Sequence, residues 1–248
     1  MSLHADDLEA AALLFMREIE ALKQAIDPTF PWYPYGILNN FIHLKPIFHG
    51  FPLGTLISGR AVLDIGAADG DLAFFLEKLG YAAEIIDHAP TNFNGLRGAR
   101  LLSRHLASSI PINDIDLDSY FLLPDTRYDL VFFLGILYHL KNPFLVMESL
   151  SKVTRHLLVS TRVARFAPQG QPIHEIPVAY LLHPTESNND STNYWTFSEA
   201  GLLRLFERTG WDVLTCRTIG DTIRSDPASL DHDERAFTLL RSRSVSAA

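Results

Sequence analysis

Apolar residues recur along this chain in two alternating patterns, one typical of buried strands and the other typical of amphipathic helices. Short apolar runs predict strands, and an uninterrupted run is typical of a strand buried on both faces of a parallel sheet. The predicted strands are Ala61–Ile65, Ala82–Asp87, 108–112, Tyr128–Leu134 and 156–160, and helical periodicity covers 71–79 and 143–152. Because strands that alternate with helices imply right-handed βαβ units, the pattern predicts an α/β protein with a doubly wound sheet.

The residues before the first strand predict a helical appendage. Apolar side chains at steps of three and four indicate an amphipathic helix, and they are Leu8, Ala12, Phe15, Ile19, Leu22 and Ile26. Asp6 and Glu9 are predicted to form a capping box, and Asp27-Pro28 ends the helix. Residues 30–36 form a segment rich in aromatic side chains, the aromatic segment, and its prolines forbid a continuous helix. It is either a packed connector or a lid over a bound ligand.

Residues 162–196 interrupt the alternation of strands and helices. Irregular stretches of this length inside compact domains are usually functional or disordered, and we interpret this one as a cap on the substrate side of the site. Ser198 is predicted to cap a helix through about Arg208, and residues 211–217 and 235–240 are predicted to form a closing pair of strands. We therefore expect an N-terminal segment over 1–59 and one domain over 60–248 that contains the cap.

The amino-acid composition limits the kinds of protein that this chain can be. The 248 residues are 47% hydrophobic, enough for one α/β domain, and no apolar run approaches the length of a membrane span. With no signal-peptide pattern at the N-terminus, we expect a soluble, cytoplasmic protein without a membrane partner. The single cysteine, Cys216, excludes an intrachain disulfide and a zinc site of clustered thiolates, and we expect it to be inert core. Nothing in the sequence indicates an oligomeric state.

The net charge of −8 and the absence of a marked Lys/Arg cluster argue against a nucleic-acid partner, although an acidic total does not exclude a local basic patch.

The strongest chemical signal is the stretch over residues 62–71, in which a strand runs into a tight turn and a helix start. Backbone N–H groups at such a turn can approach a small cofactor closely. Asp64 stands two residues before Gly66, and Gly70 follows four residues later. Because a carboxylate there repels pyrophosphate and attracts an ammonium group, the turn suits the amino-acid end of S-adenosylmethionine (SAM) better than a dinucleotide.

Polar residues at the ends of the other strands complete a candidate site, because ligands of open α/β sheets bind beyond the carboxyl ends of the strands. Asp87 can accept hydrogen bonds from ribose hydroxyls, although it could also be a turn or capping acid. Asp114 can accept from an adenine amino group, and the next backbone N–H can donate to the ring. The residues predicted to bind the cofactor are Asp64, Gly66, Ala67, Gly70, Asp87, His88, Asp114, Ile115, Leu134, Gly135 and Tyr138.

These residues resemble the class I SAM-dependent methyltransferases, and specifically the branch that contains the tRNA wobble-uridine (carboxy)methyltransferases. The resemblance is carried by residues 62–71, by Asp87 and by residues 128–143, which include Leu-Tyr-His-Leu-Lys-Asn-Pro; Asn193-Tyr194-Trp195 is a weaker match. It implies a Rossmann-like fold whose seven-stranded, mostly parallel sheet ends in an antiparallel strand. It also implies SAM as the cofactor and S-adenosylhomocysteine (SAH) as the product.

The chain departs from this family in two places. Ala68 stands where the family pattern has glycine, so the turn must accommodate a methyl group. The wobble-uridine enzymes also carry a long N-terminal extension with tRNA contacts and a cationic pocket for a carboxylated SAM. The residues before the first strand of this chain are few and not basic.

Methyl transfer from a sulfonium is an in-line displacement, in which the protein positions the reactants and removes a proton from a hydroxyl acceptor. His139 is the predicted general base because an imidazole titrates near neutrality, and Tyr138 is predicted to pack on the methionine part or to border the acceptor. His174 and His183 are alternative bases, and Tyr33 and Trp195 are further candidate acceptor contacts. No spacing of histidines and acids is diagnostic of a metal, so none is predicted.

Three functions are compatible with these observations. A methyltransferase acting on an oxygen or nitrogen of a small molecule explains the acidic charge and the polar, aromatic cap. A tRNA wobble-base methyltransferase explains the motif but not the charge, and a non-catalytic SAM-binding protein would retain every cofactor feature. A dinucleotide dehydrogenase is disfavoured because the turn lacks the three-glycine fingerprint.

Overall fold

The computed structural model describes residues 4–59, 61–229 and 231–245, and the chain divides into two compact units between Phe132 and Phe133. The helices are α1 (Ala5–Ile26), α2 (Phe41–Gly50), α3 (Leu53–Leu56), α4 (Asp71–Lys78), α5 (Arg97–His105), α6 (Pro143–Val153) and α7 (Glu199–Arg208). The strands are β1 (Ala61–Ile65), β2 (Ala82–Asp87), β3 (Ile112–Asp114), β4 (Tyr128–Leu134), β5 (Thr154–Ala164), β6 (Ala179–Leu181), β7 (Trp195–Ser198), β8 (Trp211–Gly220) and β9 (Glu234–Ser242). Short 3-10 helices cover Ile37–Asn40 and Leu137–His139.

The predicted α/β fold is confirmed. The predicted boundary between a segment 1–59 and a domain 60–248 stays a prediction, and residues 1–3, 60 and 246–248 lie outside the described residues. No helix in the described part of the chain is long and apolar enough to cross a membrane.

In the first unit, four strands form a parallel arrangement in the order β3-β2-β1-β4. β1 therefore lies between the strand that follows it in sequence and a strand that comes much later. This is a topological switch point, and ligands of open α/β sheets bind beyond the carboxyl ends of the strands at such a point. The glycine turn, which we define as residues 66–70, follows β1 directly at this edge.

The third strand is shifted relative to the prediction of residues 108–112. It covers Ile112–Asp114 instead, in register with Ile85 to Asp87 of β2. Pro111 has no N–H to donate, and its carbonyl accepts from the N–H of Ile85 at 2.9 Å, so the strand begins one residue later. The shift makes Asp114 the last residue of the strand.

The N-terminal helices pack on α4 through aromatic side chains. The ring of Phe75 lies 5.7 Å from that of Phe15 in α1 and 5.4 Å from that of Phe41 in α2, measured between centroids. All three side chains are buried, and each burial contributes about 1.5–3 kcal/mol. The amphipathic α1 was predicted, whereas α2 was not, because Pro46 within it obscures the helical pattern.

The predicted capping box of α1 is wrong. His4 is the N-cap residue and its side chain makes no capping hydrogen bond. Asp6 and Glu9 instead bind Lys45 of α2, whose Nζ lies 2.6 Å and 2.9 Å from their carboxylate oxygens. A tertiary ion pair has therefore replaced the local hydrogen bonds.

In the second unit, β5 pairs in parallel with β7 and antiparallel with β9, which also pairs with β8. The last strand is antiparallel, as predicted. Ser198 caps α7 as predicted, because its Oγ accepts from the N–H of Gly201 at 2.9 Å. The described residues contain nine strands rather than seven, since the cap contributes the short antiparallel pair β6 and β7.

Replacing Ala68 by glycine is expected to stabilise the protein. Gly66, Ala68 and Gly70 have φ values of 71°, 54° and 86°, and only alanine among them carries a Cβ that disfavours this region. Relief of this strain should add about 1 kcal/mol to the free energy of unfolding and raise Tm by roughly 2–4 °C.

Ala67→Gly is the matched control for this change, because Ala67 is buried and its φ is not positive. It should lower Tm, and thermal unfolding of both variants measures the difference. Equal shifts for the two variants would contradict strain at Ala68.

Candidate functional site

Asp64 is a buried acid of the first unit, and one of its carboxylate oxygens lacks a hydrogen-bond partner among the described residues. It is 4% exposed, and its Oδ2 atom accepts no hydrogen bond from the described residues, while the N–H of Ala73 donates to the carboxylate. Burial, together with the nearby carboxylates of Asp87 and Asp71, raises the pKa of Asp64 to about 8. An orphaned carboxylate oxygen next to a turn of close-approaching backbone fits a ligand that brings a positive charge.

Asp87 ties the end of β2 to the glycine turn. Its Oδ2 atom accepts from the N–H of Ala68 at 3.0 Å and from Nδ2 of Asn92 at 2.9 Å. Its Oδ1 atom accepts from the N–H of His88 at 2.7 Å. Burial raises the pKa of Asp87, and the Asn92 hydrogen bond opposes that shift. Since a carboxylate oxygen can accept two hydrogen bonds, Oδ1 keeps capacity for a ligand hydroxyl.

The residues after β2 and β3 are largely engaged within the protein. Asp114 Oδ1 accepts from the N–H of Ala89 at 2.9 Å, and the Nδ1 atom of His88 lies 3.3 Å from Oγ1 of Thr91. The N–H of Ile115 donates to the carbonyl of Asp87 at 2.9 Å. That N–H therefore already has an acceptor, and this arrangement gives no support to the predicted donation from Ile115 to an adenine ring.

The turn itself is closed by two backbone hydrogen bonds. The N–H of Gly66 donates to the carbonyl of Ile86 at 2.8 Å, and the N–H of Gly70 donates to the carbonyl of Ala67 at 2.7 Å. The predicted cofactor residues Asp64, Gly66, Ala67, Gly70 and Asp87 are thus brought together at one edge of the parallel strands.

A buried ion pair that was not predicted holds this turn. Lys23 of α1 is 7% exposed and binds Asp69 and Asp71, which flank Gly70. The available signal was its position on the apolar face of α1, four residues after the buried Ile19. Its partners lie far along the chain, so no local pattern indicates them.

Tyr33, a predicted acceptor contact, lies beside the turn. Its backbone N–H donates to Oδ2 of Asp69 at 2.8 Å. Its ring meets those of Tyr35 and Phe93 edge-on, with centroids 5.5 Å and 6.0 Å away. Tyr35 and Phe93 are exposed, so the three rings form an accessible aromatic cluster in the first unit.

In the second unit, Gly135, Tyr138 and Arg235 converge. Gly135 has a φ of 77°, and its N–H donates to the carbonyl of Ser160 at 2.9 Å. A Cβ at Gly135 would lie 3.6 Å from Oη of Tyr138 and 3.7 Å from Nη1 of Arg235. The guanidinium carbon of Arg235 lies 5.5 Å from the centre of the Tyr138 ring. Arg235 was not predicted, because nothing local distinguishes it within β9.

Arg235 is half-buried, and no acid in the described residues forms an ion pair with it. By contrast, Arg162, its register partner on β5, binds Asp233 at 2.6 Å. A guanidinium without an acid partner is equipped to bind a negatively charged or electron-rich group.

His139 is held in one orientation by the cap. Its Nδ1 atom lies 3.1 Å from the carbonyl oxygen of Thr192 and 3.0 Å from Oγ1 of the same residue, whose hydroxyl donates to Asp190 at 2.6 Å. Because a carbonyl oxygen only accepts, this network assigns the proton to Nδ1 and leaves a lone pair on Nε2. Burial lowers the pKa of His139, which favours the neutral imidazole that a general base requires.

Two residues at the start of β7, one just before it and one within it, fix the backbone around His139. The N–H of Tyr194 donates to the carbonyl of Tyr138 at 2.8 Å, and Nε1 of Trp195 donates to the carbonyl of Leu140 at 3.0 Å. The indole N–H of Trp195 is therefore used within the protein, and only the ring of this predicted acceptor contact could meet a ligand.

The alternative bases are not brought to His139. His174 lies 3.8 Å from Glu175, and the ring of His183 contacts Thr185 at 2.9 Å. Both imidazoles are substantially exposed, and in the described residues neither forms a hydrogen bond or ion pair with Tyr138 or His139. The same residues include no cluster of three potential metal ligands.

The chain matches a family model described as a methyltransferase domain over residues 45–215, and it belongs to this family. Membership confirms the predicted enzyme class, the SAM-dependent methyltransferases, with SAM as the cofactor of that class. A search of curated proteins by sequence found no match.

Solved structures with low sequence identity share the fold. The N-terminal domain of EvdMO1 with SAH bound is 16% identical, with a TM-score of 0.57 over 92% of this chain and 97% of that one. The PH0226 protein from Pyrococcus horikoshii OT3 is 14% identical, with a TM-score of 0.56 over 87% and 97%. The [4+2]-cyclase SpnF is 17% identical, with a TM-score of 0.53 over 77% and 80%. At these identities the likeness concerns the fold, and the cyclase illustrates that one fold supports different reactions.

Proposed function

We propose that this protein transfers the methyl group of SAM to an oxygen or nitrogen of a small-molecule acceptor. The observation that carries the proposal is the buried Oδ2 atom of Asp64, which accepts no hydrogen bond from the described residues and lies two residues before the glycine turn. SAM supplies an electrophilic methyl group on a sulfonium, together with an ammonium that such a carboxylate attracts. The EvdMO1 domain, whose structure contains SAH, has the same fold and is consistent with this proposal.

In the first unit, Asp64 is proposed to bind the ammonium, and Gly66, Ala67 and Gly70 to let the backbone approach the ligand. Oδ1 of Asp87 is proposed to accept from a ribose hydroxyl, since one protein donor already orients that atom. The predicted adenine contacts of Asp114 and Ile115, and the predicted cofactor contacts of His88, Leu134 and Gly135, stay predictions.

In the second unit, His139 is proposed to remove the acceptor proton through Nε2. The carbonyl of Thr192 binds Nδ1, and no described residue donates a hydrogen bond to Nε2. The lone pair of Nε2 is therefore available to accept the proton. Tyr138 and Arg235 are proposed to orient the acceptor. Because Arg235 has no acid partner in the described residues, an acceptor with an anionic or strongly hydrogen-bond-accepting group fits best.

A tRNA wobble-uridine methyltransferase is the alternative, favoured by the match at residues 128–143. The net charge of −8 opposes it.

Binding assays on the wild-type protein separate these functions. We expect SAH to raise Tm, NAD to leave it unchanged, and bulk tRNA to show no binding at low salt. Formation of SAH from SAM then measures turnover, with small carboxylic acids that carry a hydroxyl or an amino group as candidate acceptors. A Tm raised by NAD alone would refute the cofactor, and tRNA binding with a steep salt dependence would favour the alternative.

The affinity for SAH is expected to rise with pH up to about 8. The unfolded chain ionises Asp64 near 3.8, whereas the folded protein holds that proton to about 8, so the folded protein without ligand loses stability as pH rises between these values. An ammonium ligand requires the ionised form and must displace the proton below pH 8. The affinity should therefore increase by up to about tenfold per pH unit between pH 6 and 8.

Calorimetric titration with SAH at several pH values measures this dependence. In Asp64→Asn the affinity should be low and nearly independent of pH. An equally steep profile in that variant would mean that another group titrates.

A further inference from the structure

Lys23 is a buried cation shared by two acids of the glycine-turn region. Its Nζ atom lies 2.9 Å from Oδ2 of Asp69 and 3.0 Å from both carboxylate oxygens of Asp71. The face of the Trp32 ring lies 5.6 Å away. All three charged side chains are at most 8% exposed, so the ion pairs are shielded from solvent and salt.

Asp69 connects this cation to two further segments. Its Oδ2 atom also accepts from the backbone N–H of Tyr33 at 2.8 Å, and its Oδ1 atom accepts from Nδ2 of Asn94 at 2.7 Å. Gly98 of α5 packs against the same carboxylate so closely that a Cβ there would lie 2.1 Å from Oδ1. One turn residue thus joins α1, the aromatic segment and the segment that enters α5.

This network surrounds a stretch of backbone with an unusual conformation. Asp69 lies between Ala68 and Gly70, which both have positive φ. Strained backbone persists only where its surroundings over-determine it, and Asp69 receives three donors that do so. The same turn is the part of the chain whose N–H groups must approach the cofactor.

We propose that Lys23 is a positioning residue of the cofactor site, which fixes the glycine turn through Asp69 and Asp71 and makes the segment Asp27 to Tyr35 a structural part of that site. The inference rests on the proposed binding of SAM at the turn. The docked segment and the bound cofactor both stabilise one conformation of the turn. Docking of the segment and binding of the cofactor must therefore favour each other by the same factor.

The test compares Lys23→Met with Lys78→Met. Lys78 is a matched control because it also links α4 to α1, through Glu18 at 2.5 Å, but on the surface, with 53% of its side chain exposed. Calorimetry should show an SAH dissociation constant at least about tenfold higher for Lys23→Met and unchanged for Lys78→Met. Lys23→Arg, which keeps the charge, should recover most of the affinity. In turnover assays the KM for SAM should rise in Lys23→Met, with little change in kcat.

A second readout follows the segment itself. SAH should slow chymotrypsin cleavage at Trp32 and Tyr35 in the wild type and in Lys78→Met, but not in Lys23→Met. If Lys23→Met does not fold, Lys23→Gln combined with Asp71→Asn removes both a buried cation and a buried acid and serves in the same assays. A folded Lys23→Met protein, or a folded protein with Lys23→Gln and Asp71→Asn, that binds SAH within twofold of Lys78→Met overturns the inference. A wild-type protein that fails to bind SAH contradicts the proposed function instead.

Discussion

His139→Ala is expected to lower kcat by about 10²–10⁴-fold and to leave the affinity for SAH unchanged. The imidazole is fixed by the carbonyl of Thr192 through Nδ1, so only Nε2 can take up a proton from the acceptor. Because the neutral form is the active base, kcat of the wild type should fall as pH is lowered through the pKa of His139, which burial shifts below its usual value. Release of SAH measures kcat, and calorimetry measures binding.

His183→Ala is the control for this experiment, since His183 is exposed and interacts with its neighbours in the cap. It should keep the wild-type kcat. Unchanged turnover in His139→Ala would eliminate the proposed base, and a parallel loss of SAH affinity would show that His139 supports the structure of the cofactor site.

Asp87→Ala is expected to remove most of the rise in Tm that SAH produces. The change deletes the proposed ribose acceptor and three hydrogen bonds, from Ala68, Asn92 and His88, so it acts on both the ligand and the turn. Ligand at a hundred times its dissociation constant stabilises the native state by about 2.7 kcal/mol, and a hundredfold loss of affinity reduces this to about 0.4 kcal/mol. The free protein should itself lose about 1–3 kcal/mol.

Asp116→Asn provides the comparison, because Asp116 is also an acid beyond a strand end, and its carboxylate accepts from the N–H of Asp118 in its own turn at 2.9 Å. SAH should stabilise this variant as it does the wild type. An Asp87→Ala protein with the full SAH-dependent rise in Tm would place the ribose elsewhere. Differential scanning fluorimetry over a range of SAH concentrations distinguishes the two outcomes.

The parts of the site that the sequence could indicate are those made by neighbouring residues. The succession of β1, glycine turn and α4 is local, because a buried strand, small residues and an amphipathic helix each have their own pattern. Asp87 could be predicted in the same way, because it ends the apolar run that indicates β2. Prediction of β3 failed by a few residues because its register is set by pairing with β2 and not by its own composition.

The parts that sequence reasoning missed depend on contacts between distant residues. Lys23 reads as a polar interruption of an apolar helix face until Asp69 and Asp71 are known to meet it. Arg235 is one arginine among many until its lack of an acid partner in the described residues and its position over Tyr138 are seen. In both cases the informative property is the charge balance of a three-dimensional neighbourhood, which no periodicity encodes.

The attachment of the cap has a consequence for how this scaffold can be altered. The cap leaves the end of β5 at Ala164 and returns through β7, whose last residue, Ser198, is the register partner of Ala164. Adjacent strands lie about 4.8 Å apart and β7 begins three residues before Ser198, so the two ends of the inserted chain are roughly 11 Å apart, and loop closure depends only weakly on its length. Residues 166–186 are therefore a natural position for cassette exchange, because a library of insertions there leaves Asp190, Thr192 and Tyr194 in place to hold His139 and Tyr138 while it is screened for new acceptors.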